Sequence, residues 1–134
     1  MTTSTTVRFL SDAYLTEFGQ LAAQEQSPIP HVNVRLQFHA TDTPEGPVDY
    51  HLLIEEGVVV EAGRGLLASP DLAITASYGD LVAFQAGGLH AATAFVTGQF
   101  AVTGDKAKLL ELMVVLQSGQ YHRLTAGLWA RTTS

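Results

Sequence analysis

The sequence predicts an α+β fold in which helices cover one face of a five-stranded, mostly antiparallel sheet. Two segments, 31–40 and 48–56, alternate apolar and polar residues, as is typical of strands with one buried face. Two others, 11–26 and 106–117, carry apolar residues at helical spacing. Strands with polar outer faces need helices on their inner face only, which favours two layers with four to five helices. The length of 134 residues predicts a single domain, residues 1–134.

The first half of the chain predicts one helix and a three-stranded meander. Ser11 or Asp12 caps a helix that continues to about Gln26 and stops at the sequence SPIP. The strand HVNVRLQFHA turns its valine, leucine and phenylalanine side chains inward and its polar side chains, Gln37 among them, outward. The strands VDYHLLIEE and VVVEAG follow, with Gly57 at the turn between them.

The second half predicts two further strands between shorter helices. PDLAITAS is the predicted fourth strand, and SYGDLVAFQAGG and AATAFVTG are predicted short helices that end at glycines. QFAVTG is the predicted fifth strand, after which Asp105 can accept hydrogen bonds from the first amides of the next helix. The segment GQYHRLTAGLWAR predicts a last short helix, which Gly127 weakens.

Charge and composition argue against several classes of function. The chain has 7 lysine and arginine residues against 13 aspartate and glutamate residues, and its net charge of −6 repels a nucleic-acid backbone. It has no cysteine, which excludes thiolate metal sites and cysteine nucleophiles. The first residues lack the pattern of a signal peptide, and no apolar run approaches the roughly 18 residues that a membrane span needs. We therefore expect a cytoplasmic protein that binds no nucleic acid and has no transmembrane segment.

The predicted helix after Asp105 is apolar around most of its circumference. Leucine, methionine or valine occupies every position from 109 to 116 except Glu111, so only a narrow polar strip remains. A single sheet contact cannot cover such a surface. Either the C-terminal segment with Trp129 packs over the second side, or helix and sheet stand apart around an apolar ligand cavity. The spacing alone leaves both alternatives open.

Residues 54–121 resemble the sterol carrier protein 2 family of lipid-binding domains. The matching segments are IEEGVVVEAGRG, SPDLAITASYGDLVAFQAGG and AFVTGQFAVTGDKAKLLEL. The last is the most specific, because Gly98 precedes a short strand and Gly104 and Asp105 follow it. The chain ends in RTTS and not in the Ser-Lys-Leu-like peroxisomal signal of the eukaryotic carriers, so we expect a free-standing, bacterial-type member.

The resemblance implies an apolar tunnel between sheet and helices. Its ligand would be a fatty acid, fatty acyl-CoA, sterol or phospholipid, bound without catalysis and without a cofactor. The candidate lining residues are Phe84, Phe95, Phe100, Leu109, Leu112, Met113, Leu116, Tyr121, Leu124 and Trp129. No residue is assigned to a metal or to catalysis.

Two alternatives concern the polar groups. His39, Asp49 and His51 fall together on the outward face of the first two long strands, and these residues or His122 could serve a small tailoring enzyme or an accessory protein of a biosynthetic pathway that uses the same pocket. The simpler interpretation of this face is a solvated polar surface. Leu53 interrupts its polar row, so a homodimer through the outer sheet face is a further hypothesis.

Overall fold

The computed structural model describes residues 6–133, which form five helices and seven strands. The helices are α1 (Asp12–Glu25), α2 (Tyr78–Gln85), α3 (Ala91–Thr97), α4 (Lys106–Leu116) and α5 (Gly119–Trp129). The strands are β1 (Val7–Arg8), β2 (Val34–Thr41), β3 (Val48–Glu55), β4 (Val58–Arg64), β5 (Leu72–Ser77), β6 (Ala101–Gly104) and β7 (Thr132–Thr133).

The main sheet has the strand order β4-β3-β2-β5-β6. β2 and β5 run parallel, and the other neighbouring pairs are antiparallel. Because β5 lies beside β2 and not beside β4, the chain must cross the sheet after β4. Residues 65–71 form this crossover loop between β4 and β5. The predicted α+β class with a mostly antiparallel five-stranded sheet is confirmed.

One face of this sheet forms the core with the helices. Alternate residues of β2, β3 and β5 are buried there, and they belong to one cluster with the apolar sides of α1, α2, α4 and α5. Leu36 and Ile74 of the sheet and Leu112 of α4 are completely buried. Burial of apolar surface is the dominant favourable term in folding, so this cluster holds the two layers together.

The opposite, outer face of the sheet is polar but not wholly solvated. Gln37 is 2% exposed, although the alternation predicts a solvated polar residue there. Its amide nitrogen donates to the carbonyl oxygens of Tyr50 and Gly65 at 3.0 and 3.1 Å, and its amide oxygen accepts from the Leu67 amide at 2.7 Å. Gln37 therefore fastens the crossover loop to the outer face, and this contact accounts for its burial.

The start of α4 depends on two residues that the sequence marks. The Asp105 carboxylate accepts from the Ala107 amide at 2.9 Å, as the predicted cap requires. Gly104 has a φ of +123°, and a Cβ at this position would collide with the carbonyl oxygen of Asp71. Glycine is needed here because β6 comes close to the backbone that leads into β5.

A small second sheet joins the two ends of the described chain. β1 and β7 pair in parallel, with Val7 opposite Thr132 and Arg8 opposite Thr133. The sequence analysis does not predict this pair, since segments of two residues have no recognisable periodicity. Within residues 6–133, no helix combines the length and the hydropathy that a membrane span requires.

Candidate ligand cavity between α2 and α5

A cavity of about 440 Å³ opens between the end of α2 and one side of α5. The turn between α2 and α3 and the last residue of α4 complete its walls. The lining residues are Phe84, Gln85, Ala86, Gly87, Leu89, His90, Ala91, Leu116, Tyr121, His122, Thr125, Ala126, Trp129 and Ala130. The volume falls within the range of small-molecule binding sites.

Small residues line much of this cavity. Ala86 and Gly87 follow the last turn of α2, while Ala126 of α5 and Ala130, the residue directly after α5, border the space from the other side. Gly87 has a φ of +87°, a conformation that glycine adopts without strain. Because alanine and glycine fill little volume, they leave an open space between the neighbouring elements, and all four of these residues are exposed.

The lining of the cavity carries no fixed charge. It includes no lysine, arginine, aspartate or glutamate, and its titratable groups are His90, Tyr121 and His122. Both histidines are exposed at the rim, whereas Tyr121 is 4% exposed. An ionised group deep in this space would lose hydration without gaining a partner of opposite charge, so the interior suits an uncharged ligand part.

A much smaller space of about 20 Å³, the inner compartment, lies behind the cavity. Its lining residues are Phe9, Leu10, Tyr14, Leu15, Phe18, Phe38, Tyr50, Leu52, Leu81, Phe84 and Gln85. Phe84 and Gln85 border both spaces. The Gln85 amide donates a hydrogen bond to the hydroxyl oxygen of Tyr14 across this shared wall.

Three tyrosines beside these two spaces are buried and uncharged. Burial raises the pKa of Tyr14, and the nearby Tyr121 raises it further, while the hydrogen bond from Gln85 lowers it. Burial also raises the pKa of Tyr50 and of Tyr121 above the ordinary tyrosine value. A buried phenolate would lose its hydration. The three hydroxyls are therefore neutral hydrogen-bonding groups at physiological pH.

Helix α5, which supplies much of the cavity wall, is fastened at both ends to the α1 side of the molecule. Near its start, the Gln120 side chain accepts from the Ser27 amide and donates to the Ser27 carbonyl, each at 2.8 Å. Just after its end, Arg131 forms an ion pair with Glu17 of α1 at 3.1 Å, and β7 pairs with β1. These contacts hold α5 across the sheet and keep its alanines at the cavity.

A second apolar space, the α4–β6 groove, lies on the other side of α4 and also measures about 440 Å³. It is lined by Leu72, Val102, Thr103, Gly104, Asp105, Lys106, Leu109 and Leu110. Leu110 is 71% exposed, and Val114, one turn later on α4, is 48% exposed. Fewer elements surround this groove than the α2–α5 cavity.

The ten predicted lining residues are divided among three places. Phe84, Leu116, Tyr121 and Trp129 line the α2–α5 cavity, and Leu109 lines the α4–β6 groove. The others border neither space: Phe95, Phe100, Leu112, Met113 and Leu124. Of these, Phe100, Leu112 and Leu124 are buried core residues. The sequence analysis did not identify Gln85, Thr125 or the small residues, although the frequent alanine and glycine near 86–91 and 126–130 was a usable signal.

The candidate catalytic groups lie away from the cavity, with one exception. His39 contacts Asp49 at 2.7 Å and His51 contacts Glu61 at 2.8 Å, both on the outer face of the sheet. Of the four candidate residues, His122 alone lines the cavity. Among residues 6–133, no three histidine, aspartate or glutamate side chains come together as ligands for a metal ion.

Fold comparison assigns the arrangement to the sterol carrier protein 2 fold, as the sequence resemblance predicts. Palmitated sterol carrier protein 2-like 2 from Aedes aegypti superposes with a TM-score of 0.62 at 18% identity, over 80% of this chain and 94% of that chain. A conserved hypothetical protein from Thermus thermophilus superposes with a TM-score of 0.65 at 16% identity, over 94% of this chain and 95% of that chain.

Sequence comparison defines the family more narrowly. The model of the alkyl sulfatase C-terminal family matches residues 26–122, and the chain belongs to this family. A variant of a sec-alkyl sulfatase also shares the fold, with a TM-score of 0.50 at 24% identity over 67% of this chain; the matched part is 14% of that longer chain. Comparison with curated proteins finds no match.

Proposed function

We propose that the protein is a non-catalytic binding protein that holds the alkyl chain of an amphiphile in the α2–α5 cavity. The observation that carries this proposal is the cavity of about 440 Å³, with its largely apolar and uncharged lining. Burial of each methylene contributes about 0.8 kcal/mol, so an extended chain can bind with few polar contacts. The protein would act by sequestering and releasing its ligand.

The comparisons support an alkyl ligand without identifying it. One relative by fold was studied in palmitated form, and the family takes its name from enzymes that act on alkyl sulfates. Among the expected ligand classes, the single alkyl chain of a fatty acid suits the cavity best, although the lining offers its carboxylate no counter-charge. The lining offers no lysine or arginine to a phosphate, which disfavours burial of the head group of a phospholipid or an acyl-CoA.

The structure gives the tailoring-enzyme hypothesis little support. A reaction in the cavity needs catalytic groups that face the ligand, and the paired histidines and carboxylates of the outer face do not line it. His122 reaches the rim without a carboxylate partner among the described residues. We therefore propose that binding, and not bond making, is the activity of this chain.

The test is a titration followed through Trp129, the single tryptophan of the chain, whose side chain lines the cavity. We expect dodecanoate or 1-dodecanol to change its emission with saturation. Ala126→Phe should weaken binding at least tenfold, because the new ring occupies the cavity. Ala23→Phe is the matched control: Ala23 is exposed on α1, lines neither cavity nor groove, and should leave affinity unchanged.

If neither dodecanoate nor 1-dodecanol binds to the wild-type protein, the proposal is disproved. Equal affinity of the wild type and Ala126→Phe would move the binding site away from the α2–α5 cavity. Native mass spectrometry of protein purified without detergent gives an independent count of bound alkyl compounds.

A further inference from the structure

The inner compartment has the size of one small polar group. Its volume of about 20 Å³ is sufficient for a single water-sized group, which needs roughly 10–15 Å³. It adjoins the α2–α5 cavity at Phe84 and Gln85, which border both spaces. A ligand that fills the cavity therefore ends beside this compartment.

The polar groups that line the inner compartment retain unused hydrogen-bonding capacity. Gln85 donates to the Tyr14 hydroxyl oxygen. Among the described residues, no side-chain hydrogen bond involves the Gln85 amide oxygen or the Tyr50 hydroxyl group, and the one bond of the Tyr14 hydroxyl is that with Gln85. Within residues 6–133, every fully enclosed side-chain oxygen or nitrogen has a hydrogen-bond partner. The Tyr50 hydroxyl therefore reaches accessible space, and Tyr50 is otherwise 6% exposed.

The Tyr50 ring is held in place independently of its hydroxyl group. It stacks on Phe38 with ring centroids 4.7 Å apart and an interplanar angle of 3°. Phenylalanine would fit the same site and keep the same stack. The stack of the two rings therefore does not require the hydroxyl group, and Tyr50 is a lining residue of the compartment.

The chemistry of this wall selects for a neutral hydroxyl group. Tyr14 and Tyr50 can donate, and the Gln85 amide oxygen can accept, which matches the one donor and two acceptor sites of an alcohol. Neither compartment is lined by lysine, arginine, aspartate or glutamate. A carboxylate or sulfate placed here would lose its hydration and gain no counter-charge, so the compartment disfavours an anionic head group.

We propose that the inner compartment binds the hydroxyl group of a long-chain alcohol, whose alkyl chain occupies the α2–α5 cavity. This inference rests on the proposed function, since the chain must first bind in the cavity. In this arrangement the hydroxyl end of the ligand lies toward Phe84 and Gln85, which border both spaces. Specificity for the head group then comes from the interior of the protein and not from the histidines at the rim.

The decisive variant is Tyr50→Phe, with emission of Trp129 as the readout. We expect 1-dodecanol to bind about 3- to 10-fold more weakly, the loss that a net hydrogen bond of about 1 kcal/mol implies, while dodecane binds as before. Tyr78→Phe is the control, because Tyr78 lines neither compartment. Circular dichroism establishes that each variant is folded.

A comparison of ligands tests the same idea on the wild-type protein and does not depend on the folding of any variant. Dodecyl methyl ether is more apolar than 1-dodecanol but has no hydroxyl proton and a larger head. Apolar burial alone predicts that the ether binds more tightly, whereas a hydroxyl subsite predicts that the alcohol does.

The possible results separate the two proposals. If no dodecyl compound binds, the proposed function fails together with this inference. If all bind in the order of their hydrophobicity, or if Tyr50→Phe affects dodecane as much as 1-dodecanol, the inference alone is overturned. Tighter binding of dodecanoate than of 1-dodecanol at pH 8 would also overturn it.

Discussion

Helices α4 and α5 both have 11 residues, but α5 forms much of the wall of the α2–α5 cavity and α4 forms little of it. α4 is apolar almost throughout, yet it contributes only Leu116 to the α2–α5 cavity and leaves Leu110 and Val114 exposed. α5 is less apolar and contains Gly127, but it supplies five lining residues between Tyr121 and Trp129 and is followed at once by Ala130, which also lines the cavity. The more hydrophobic helix is chiefly a core element, and the more polar helix borders the proposed ligand.

The difference between the two helices shows that the size of the side chains, more than their hydropathy, determines where a cavity forms. Leu112, Val115 and Leu116 of α4 fill the space between helix and sheet. On α5, Ala126 and the neighbouring Ala130 leave space unfilled. Large apolar side chains close-pack wherever they can, and the cavity remains open where small residues such as Ala126 and Ala130 border it.

The largest expected effect concerns the structural role of α4. Leu112→Ala should lower the free energy of unfolding by about 2–5 kcal/mol, because Leu112 is completely buried and its loss leaves a cavity. Leu110→Ala, the same change two residues earlier, should stay within about 0.5 kcal/mol, since Leu110 is 71% exposed. Urea unfolding followed by circular dichroism measures both. A similar cost at the two positions would show that α4 packs on both sides.

A smaller effect is expected from loosening α5. Gln120→Ala removes two hydrogen bonds to the Ser27 backbone and should destabilise the protein by about 1 kcal/mol. Gln24→Ala, at an exposed position of α1, is the control and should have little effect. Urea midpoints are again the readout. A variant as stable as the wild type would mean that β7 and the ion pair of Arg131 suffice to fasten α5.

Much of the fold could be predicted because local patterns and tertiary contacts agree. The alternation in β2 and β3, the serine cap of α1 and the capping role of Asp105 are all present. Two exceptions are the β1–β7 pair and Gln37, whose burial depends on the crossover loop that passes over it. A contact between residues about 30 positions apart leaves no trace in the periodicity of either segment.

The site was less accessible to sequence reasoning. Hydrophobic patterning locates buried residues, but it cannot distinguish a side chain that fills the core from one that borders a space. Leu124 and Trp129 illustrate this, since both were candidates, yet Leu124 is completely buried and Trp129 lines the cavity. The polar pair of Gln85 and Tyr14 joins residues 71 positions apart and could be recognised only in the folded chain.

Nuclear magnetic resonance of the ¹⁵N-labelled protein tests the central claim most directly. Titration with 1-dodecanol should shift the backbone amide signals of α5 around Ala126 and of the α2 terminus around Gln85, and leave those of Leu110 and Val114 on α4 unchanged. Shifts centred on α4 and β6 instead would place the ligand in the α4–β6 groove and contradict the account.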